Sequence, residues 1–128
     1  MKLEEGSLSQ KEIKALFNAL PFQITFVDKV DKIRYYNKPY IEIFQRDKSI
    51  IDSKVQKCHS VKSIQLVNQI LSDFKAGKRT TAEFWVHIEG RLIYNQYIAV
   101  REKSGNYLGT LEVTQDLTRI KGTEKKTK

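Results

Sequence analysis

The sequence predicts an α+β fold, a five-stranded antiparallel sheet with helices on one face and a further helix flanking it at the N-terminus. Three observations carry this expectation. Segments that alternate apolar and polar residues gather near both ends of the chain, two before residue 37 and three after residue 80. Segments with helical spacing lie between them and ahead of them, an order that favours a sheet with helices packed on it. At 128 residues the chain is one domain's worth, enough to bury a core without disulfides or metal.

The elements follow in order. The first five or six residues carry no periodic pattern and are expected to be disordered. Ser9-Gln10-Lys11-Glu12 is a capping box, in which the Ser hydroxyl and the Glu carboxylate each satisfy a free helix-start N–H. Ile13, Leu16, Phe17 and Leu20 then form one apolar stripe, and Pro21 ends the helix because the residue before proline avoids the α region. Phe22 to Asp28 and Ile33 to Tyr36 read as a hairpin around the polar turn Asp28-Lys29-Val30-Asp31-Lys32. Asn37 is placed to cap a short helix with Pro39 in its first turn, carrying Tyr40, Ile43 and Phe44. Residues 45–59 show no clear period, and short helical turns and loop are expected there. Ser60 opens the longest helix, with Val61, Ile64, Val67, Leu71 and Phe74 on its apolar face, Ile70 beside them and Gly77 as the stop. Three strands close the chain: Ala82 to Ile88, Leu92 to Val100 after Gly90, and Tyr107 to Asp116 after Ser104-Gly105-Asn106. The first and last strand groups are expected to pair in the middle of the sheet.

Ala82, Phe84, Val86 and Ile88 must face the helices, which leaves Trp85 on the other face and in need of cover. On the last strand, Gly109, Leu111 and Val113 point one way, and Leu108, Thr110 and Glu112 the other. The first helix is expected to lie across the outer face or reach onto a partner subunit, and in either case to shield Trp85. An outer-face Trp beside an amphipathic helix suggests a homodimer, with Ile13, Phe17, Trp85 and Leu108 as interface residues. Packing within one chain is the competing reading.

The net charge of +8 invites a nucleic-acid or anionic-lipid reading. About half of that excess sits in residues 119–128, which hold five basic residues and one acid, and the rest is interspersed with acids as on a solvated face. Nucleic-acid contact through this tail is therefore disfavoured. There is no apolar run long enough to span a membrane and no secretory signal. The single Cys58 cannot form an internal disulfide, which suits the cytoplasm. No phosphate loop, nucleophile elbow or Cys/His metal spacing occurs. Glu83 and Glu89 share a strand face but stand about 20 Å apart, too far to act on one bond. No enzymatic activity is expected.

Four stretches carry a resemblance: LPFQITFVDKVDKIRYYN (20–37), KVQKCH (54–59), LSDFKAGKRTTAEFW (71–85) and YLGTLEVTQDLT (107–118), the last ending in Asp116-Leu117-Thr118. The order of elements and these segments resemble a PAS domain, a sensor and interaction module. More specifically they resemble the PAS domain of the family of unknown function often fused to a hemerythrin-like domain. The chain has two His, too few for a di-iron site of that kind. The resemblance implies a flanking helix at 1–19, a PAS-like sheet and helices at 20–118 and a basic tail at 119–128. It implies a stand-alone module that takes a small ligand or a protein partner in a hollow between sheet and helices, with output through flanking helices, often in a dimer. The residues expected around that hollow are Cys58, His59, Tyr40, Phe44 and Phe84.

Cys58 and His59 are the candidates for chemistry. Either could supply one axial ligand to haem, with His59 the better metal ligand, and a helix N-terminus would make the Cys thiol more reactive. The favoured reading is plainer, a small buried Cys and a loop His. Flavin photochemistry is rejected. Such sensors carry Asn-Cys-Arg-Phe-Leu-Gln where this chain has Lys57-Cys58-His59-Ser60-Val61-Lys62, and Thr114 stands where a flavin-contacting Gln would be. His87 shares the face of Trp85 and should point away from the hollow. Among Tyr35, Tyr36, Tyr40, Tyr94, Tyr97 and Tyr107, some hydroxyls could enter an apolar pocket, although strand packing accounts for most tyrosines of this kind.

Overall fold

The structure, a computed structural model, describes residues 1–120. Most of the basic tail therefore lies outside the described residues. The chain starts with a small hairpin, β1 (Lys2–Leu3) and β2 (Gly6–Ser7), where disorder is expected from the sequence. Two bonds close it: the terminal ammonium donates to the Leu8 carbonyl at 2.9 Å and the Leu8 N–H returns to the Met1 carbonyl. Helix α1 (Gln10–Ala19) has the full capping box, with Glu12 N–H donating to Ser9 Oγ and Ser9 N–H to Glu12 Oε1. It ends at Leu20, which is extended with ψ 139° as the following proline requires.

β3 (Gln23–Asp28) and β4 (Ile33–Tyr36) form a hairpin whose turn is held by Asp28 Oδ1, the acceptor for both Val30 and Lys32 N–H at 3.0 Å. The short helix expected after Asn37 does not form. Asn37 is 0% exposed and points inward, where its side chain bonds to other elements instead of capping. Two 3₁₀ segments follow, Lys48–Ile50 and Val55–Cys58, and then α2 (Val61–Lys75), whose first turn is capped by Ser60. Gly77 takes φ +75° past its end, a conformation that glycine adopts without strain. β5 (Thr81–Ile88), β6 (Arg91–Arg101) and β7 (Tyr107–Asp116) complete the sheet.

The five long strands are antiparallel in the order β4-β3-β7-β6-β5, so the two terminal strand groups do meet at the centre through β3 and β7. The pairs Ala82–Tyr97, Tyr97–Glu112 and Glu112–Thr25 form one continuous row across the sheet, and directly opposed residues share a face. This row faces the helices. Ala82 and Tyr97 pack with Ile70 and Phe74 of α2, while Val27 and Ile33 pack with Val67 and Leu71 and with Val55. Among the described residues no helix is long and apolar enough to cross a membrane.

Two expectations about the outer face are corrected. Within one chain α1 does not shield Trp85. Its Phe17 ring lies 5.7 Å from Tyr35 on β4, at the opposite edge of the sheet, and Trp85 stays 54% exposed with Tyr94 stacked at 4.4 Å. Leu108 does not share the patch of Trp85 either. Trp85 lies in the row of Tyr94 and Gln115, seven residues along β7 and about 20 Å away by strand rise. Leu108 is the extra residue of a bulge, since Val100 pairs with Gly109 and Arg101 with Tyr107.

Candidate functional site

A cavity of about 510 Å³ lies between the inner face of the sheet and the irregular segment before α2. The sheet supplies Gln23 and Thr25 from β3, Asn95 and Tyr97 from β6, and Glu112 and Thr114 from β7. The opposite wall is Phe44, Gln45, Arg46, Asp47, Ile50, Val55, Cys58 and His59, and Asp47 Oδ1 is occupied by the Ser49 N–H at 3.1 Å. The volume is that of an ordinary small-molecule site, and the mixture of apolar walls with a few polar groups is what such sites use for affinity and orientation.

The irregular wall is held by side chains from the sheet. Gln23 accepts from the Ile43 and Phe44 N–H groups at 3.0 and 2.9 Å and donates to the Phe44 carbonyl at 2.7 Å, so one buried amide fixes the strap that no helix stabilises. Arg46 donates to the Ile24 carbonyl at 2.7 Å, to Thr25 Oγ1 at 2.9 Å, and to the carbonyl and side-chain oxygens of Asn37. Its guanidinium carbon sits 4.9 Å from the centre of the Tyr36 ring. Burial lowers the pKa of Arg46, with Glu42 and Glu112 opposing that shift, and its Nε is buried without a partner. Asn37 in turn accepts from Ile24 N–H at 2.8 Å and donates to the carbonyls of Phe17 and Phe22 at 2.7 and 3.1 Å. One side chain therefore touches the cavity wall, the start of β3 and the end of α1.

Glu112 stands in the centre of the floor. Burial raises its carboxyl above the ordinary range, partly offset by the Tyr97 hydroxyl, which donates at 3.4 Å, and by the positive Arg46. The Tyr97 phenol is pushed far upward, first by burial and then by the charge of Glu112. Thr114 donates to Asn95 Oδ1 at 2.7 Å. Cys58 and His59 both reach the cavity from the end of their 3₁₀ segment. Burial and then Glu112 raise the Cys58 thiol, so the activation expected from the helix start is outweighed. Cys58 is also exposed, where burial is the expectation from the sequence. Burial lowers the pKa of His59, which keeps the imidazole neutral at neutral pH.

The other expected ligand contacts are distributed differently. Phe44 is on the wall beside Cys58 and His59. Tyr40 is 99% exposed, because the helix that would have turned it inward is absent. Phe84 faces inward but lies behind Tyr97, ring edge to face at 5.9 Å, so it buttresses the wall without forming it. Sequence reasoning missed Gln23, Arg46, Asn95 and Glu112, and reached Tyr97 only as one of several tyrosines whose hydroxyls could enter a pocket. The usable signal was a glutamate in a strand that must run through the middle of the sheet.

A model of the PAS domain family matches residues 13–118. No curated protein matches the chain. Among solved structures, the chain is similar to a C-terminal domain from Streptococcus mutans, at 30% identity over 97% of this chain and 96% of that one, with a TM-score of 0.88. It is similar in fold to the PAS domain from Bordetella pertussis BvgS, at 18% identity, 90% and 91% coverage and a TM-score of 0.64. It is also similar to a phage VqmA–DPO complex, at 17% identity over 91% of this chain and 56% of that one, with a TM-score of 0.61.

Proposed function

This chain belongs to the PAS domain family, and from that premise we propose that it is a sensory module that takes a small ligand into the cavity under Arg46 and over Glu112 and signals through α1. The observation that carries this is the cavity itself, of small-molecule size, with a half-buried carboxyl at its centre. Cys58, His59 and Phe44 are the proposed ligand contacts from the earlier set. The bonds from Arg46 through Asn37 to the Phe17 carbonyl supply a physical connection from the cavity wall to α1. Residues 20–118 are the proposed module. The segments KVQKCH and AEFW support its finer placement with the hemerythrin-linked PAS domains. No enzymatic family is indicated, and a cytoplasmic, non-catalytic role goes with this reading. Nucleic-acid contact forms no part of it.

Native mass spectrometry of freshly purified protein tests the central claim. A mass increment lost in Arg46→Ala or Glu112→Gln is the expected result. A mass equal to the bare chain, together with no uptake from a metabolite extract, overturns it.

A homodimer is the proposed assembly. α1 has no buried residue, Leu16 and Phe17 stay exposed on its apolar stripe, and Trp85 is exposed on the same sheet face. Sedimentation of Trp85→Glu and Leu16→Glu separates the two patches: the variant that yields monomer marks the contact. A dimer that survives both substitutions, or monomeric wild type, refutes the placement.

Haem is the second reading, favoured by the neutral His59 on the cavity wall. Against it, an apolar macrocycle would press on Thr25, Asn95, Glu112 and Thr114. A Soret band lost in His59→Ala would support haem, and colourless protein that takes up none in titration would remove it.

A further inference from the structure

Most of the hydrogen-bonding capacity of Gln23, Arg46 and Thr114 in the cavity is used within the protein, whereas that of Glu112 at the centre of its floor is not. Gln23 uses its amide oxygen and one amide hydrogen on the backbone of Ile43 and Phe44. Both terminal nitrogens of Arg46 are engaged by Ile24, Thr25 and Asn37. The Thr114 hydroxyl is given to Asn95. Glu112 is different. A carboxylate has room for about four hydrogen bonds, and the protein offers one, from Tyr97 at 3.4 Å, the long end of what counts as a bond. Arg46 and Glu112 form no ion pair among the described residues, because the two terminal nitrogens of the guanidinium are turned to Ile24, Thr25 and Asn37. The carboxyl nonetheless faces the cavity, so a ligand can reach it.

An anion is a poor complement to this arrangement. Its natural partner, Arg46, is engaged at both ends, and only the buried Nε is unpaired. A carboxylate that reached for that single N–H would also have to meet Glu112. A ligand with two neighbouring N–H groups fits instead. It would form the paired, charge-assisted contact that a carboxylate makes best. The remaining wall suits a flat ring, since Phe44, Ile33, Ile50, Val55 and the Tyr97 and His59 rings supply apolar surface.

We propose that the cavity selects a small planar nitrogen donor, of the amidine, guanidine or 2-aminoazine class, and holds it on Glu112 through two adjacent N–H groups. This rests on the reading of the cavity as a ligand site given above. Benzamidine and benzoate test it, because they share size and shape but reverse the polarity of the head group. Each is titrated into the full chain at pH 8, and the backbone amide resonances of the cavity strands are followed by NMR. Benzamidine is expected to shift the amides of Tyr97, Glu112 and Thr114 and to raise the melting temperature, and benzoate to do neither. Glu112→Gln, which keeps the volume of the side chain, is expected to weaken benzamidine by about tenfold or more. Benzoate shifting the same amides at equal or lower concentration would overturn the nitrogen-donor class while leaving the cavity a ligand site. Benzamidine binding that is indifferent to Glu112→Gln would overturn the role of Glu112. No shift of cavity amides with either probe would overturn the nitrogen-donor class, and native mass spectrometry of the same protein decides the ligand-site reading separately.

Discussion

Asn37→Ala should cost far more than its single side chain suggests, and should release α1. Asn37 is fully buried, and its amide satisfies three backbone groups at once. The Ile24 N–H lies in buried backbone and would be stranded at about 2 kcal/mol. The Phe17 and Phe22 carbonyls are nearer to solvent and can be hydrated in part, which adds about 0.5 kcal/mol each. The sum is about 3 kcal/mol, or a fall of about 10 °C in melting temperature for a domain of this length. Thermal unfolding by circular dichroism reads the total, and hydrogen exchange reads its distribution. α1 is 10 residues long, too short to persist alone, and has no buried residue. It is held by the Asn37–Phe17 bond, by Lys38 N–H on Asn18 Oδ1 at 2.8 Å and by the Phe17–Tyr35 ring contact. Exchange in α1 should therefore accelerate more than exchange in β6 or α2. Asn37→Asp keeps an acceptor for Ile24 and Arg46 but cannot donate to Phe17. It should lose less stability than Asn37→Ala while loosening α1 as much. A melting temperature lowered by less than about 3 °C in Asn37→Ala, or unchanged α1 exchange in both variants, would refute the reasoning.

Three further outcomes are expected. Gly109→Ala should cost about 3 kcal/mol, since a Cβ there would lie 2.2 Å from the Val27 carbonyl and 2.8 Å from the Phe26 ring at φ +157°; a melting temperature within 3 °C of wild type would contradict the close β3–β7 approach. Glu112→Gln should stabilise the protein at neutral pH. Burial raises the folded carboxyl's pKa, so the unfolded chain loses its proton first as pH climbs past the ordinary 4.5, and wild-type stability falls from there until the folded group ionises. Gln has no such loss, so the advantage should vanish below about pH 4.5 in urea melts, and an equal gap at pH 4 and pH 7 would exclude this cause. Cys58 should react with iodoacetamide at pH 7.5 more slowly than free cysteine despite its exposure, because burial and the charge of Glu112 oppose the thiolate. Glu112→Gln should speed the reaction, and a rate above that of the free amino acid would show the thiol to be activated instead.

The fold was legible because its signals are local or periodic. The capping box at Ser9–Glu12, the halt at Pro21, the N-cap at Ser60 and the stop at Gly77 each work within one turn of helix, and the structure places them as the sequence suggests. Central pairing of β3 and β7 follows from the order of elements alone. The failures are the places where a distant residue wins over a local preference. Asn37 with Pro39 two residues on is a sound helix start by local rules. Here the side chain of Asn37 completes more hydrogen bonds by turning inward to Ile24, Phe17 and Phe22 than by capping a turn, and the helix is forfeited with the inward place expected for Tyr40.

The site was hidden for a related reason, which lies in the sheet register. Alternation along one strand tells which residues share a face, but it does not tell which face is buried when both sets are mixed. On β7 one set is Gly109, Leu111 and Val113 and the other Thr110, Glu112 and Thr114, and hydrophobicity points the first set inward. Pairing decides otherwise. Glu112 stands opposite Tyr97, which stands opposite Ala82, and Ala82 packs on Phe74 of the long helix. The polar set is therefore the inner one at the centre of the sheet. The apolar set, with Ile24 and Phe26 of β3 beside it, makes the outer face that α1 approaches through Phe17. Where the inner face of the sheet is polar, a hollow stays open under the irregular segment before α2, because Thr25, Asn95, Glu112 and Thr114 cannot be closed over by aliphatic side chains without losing water or partners.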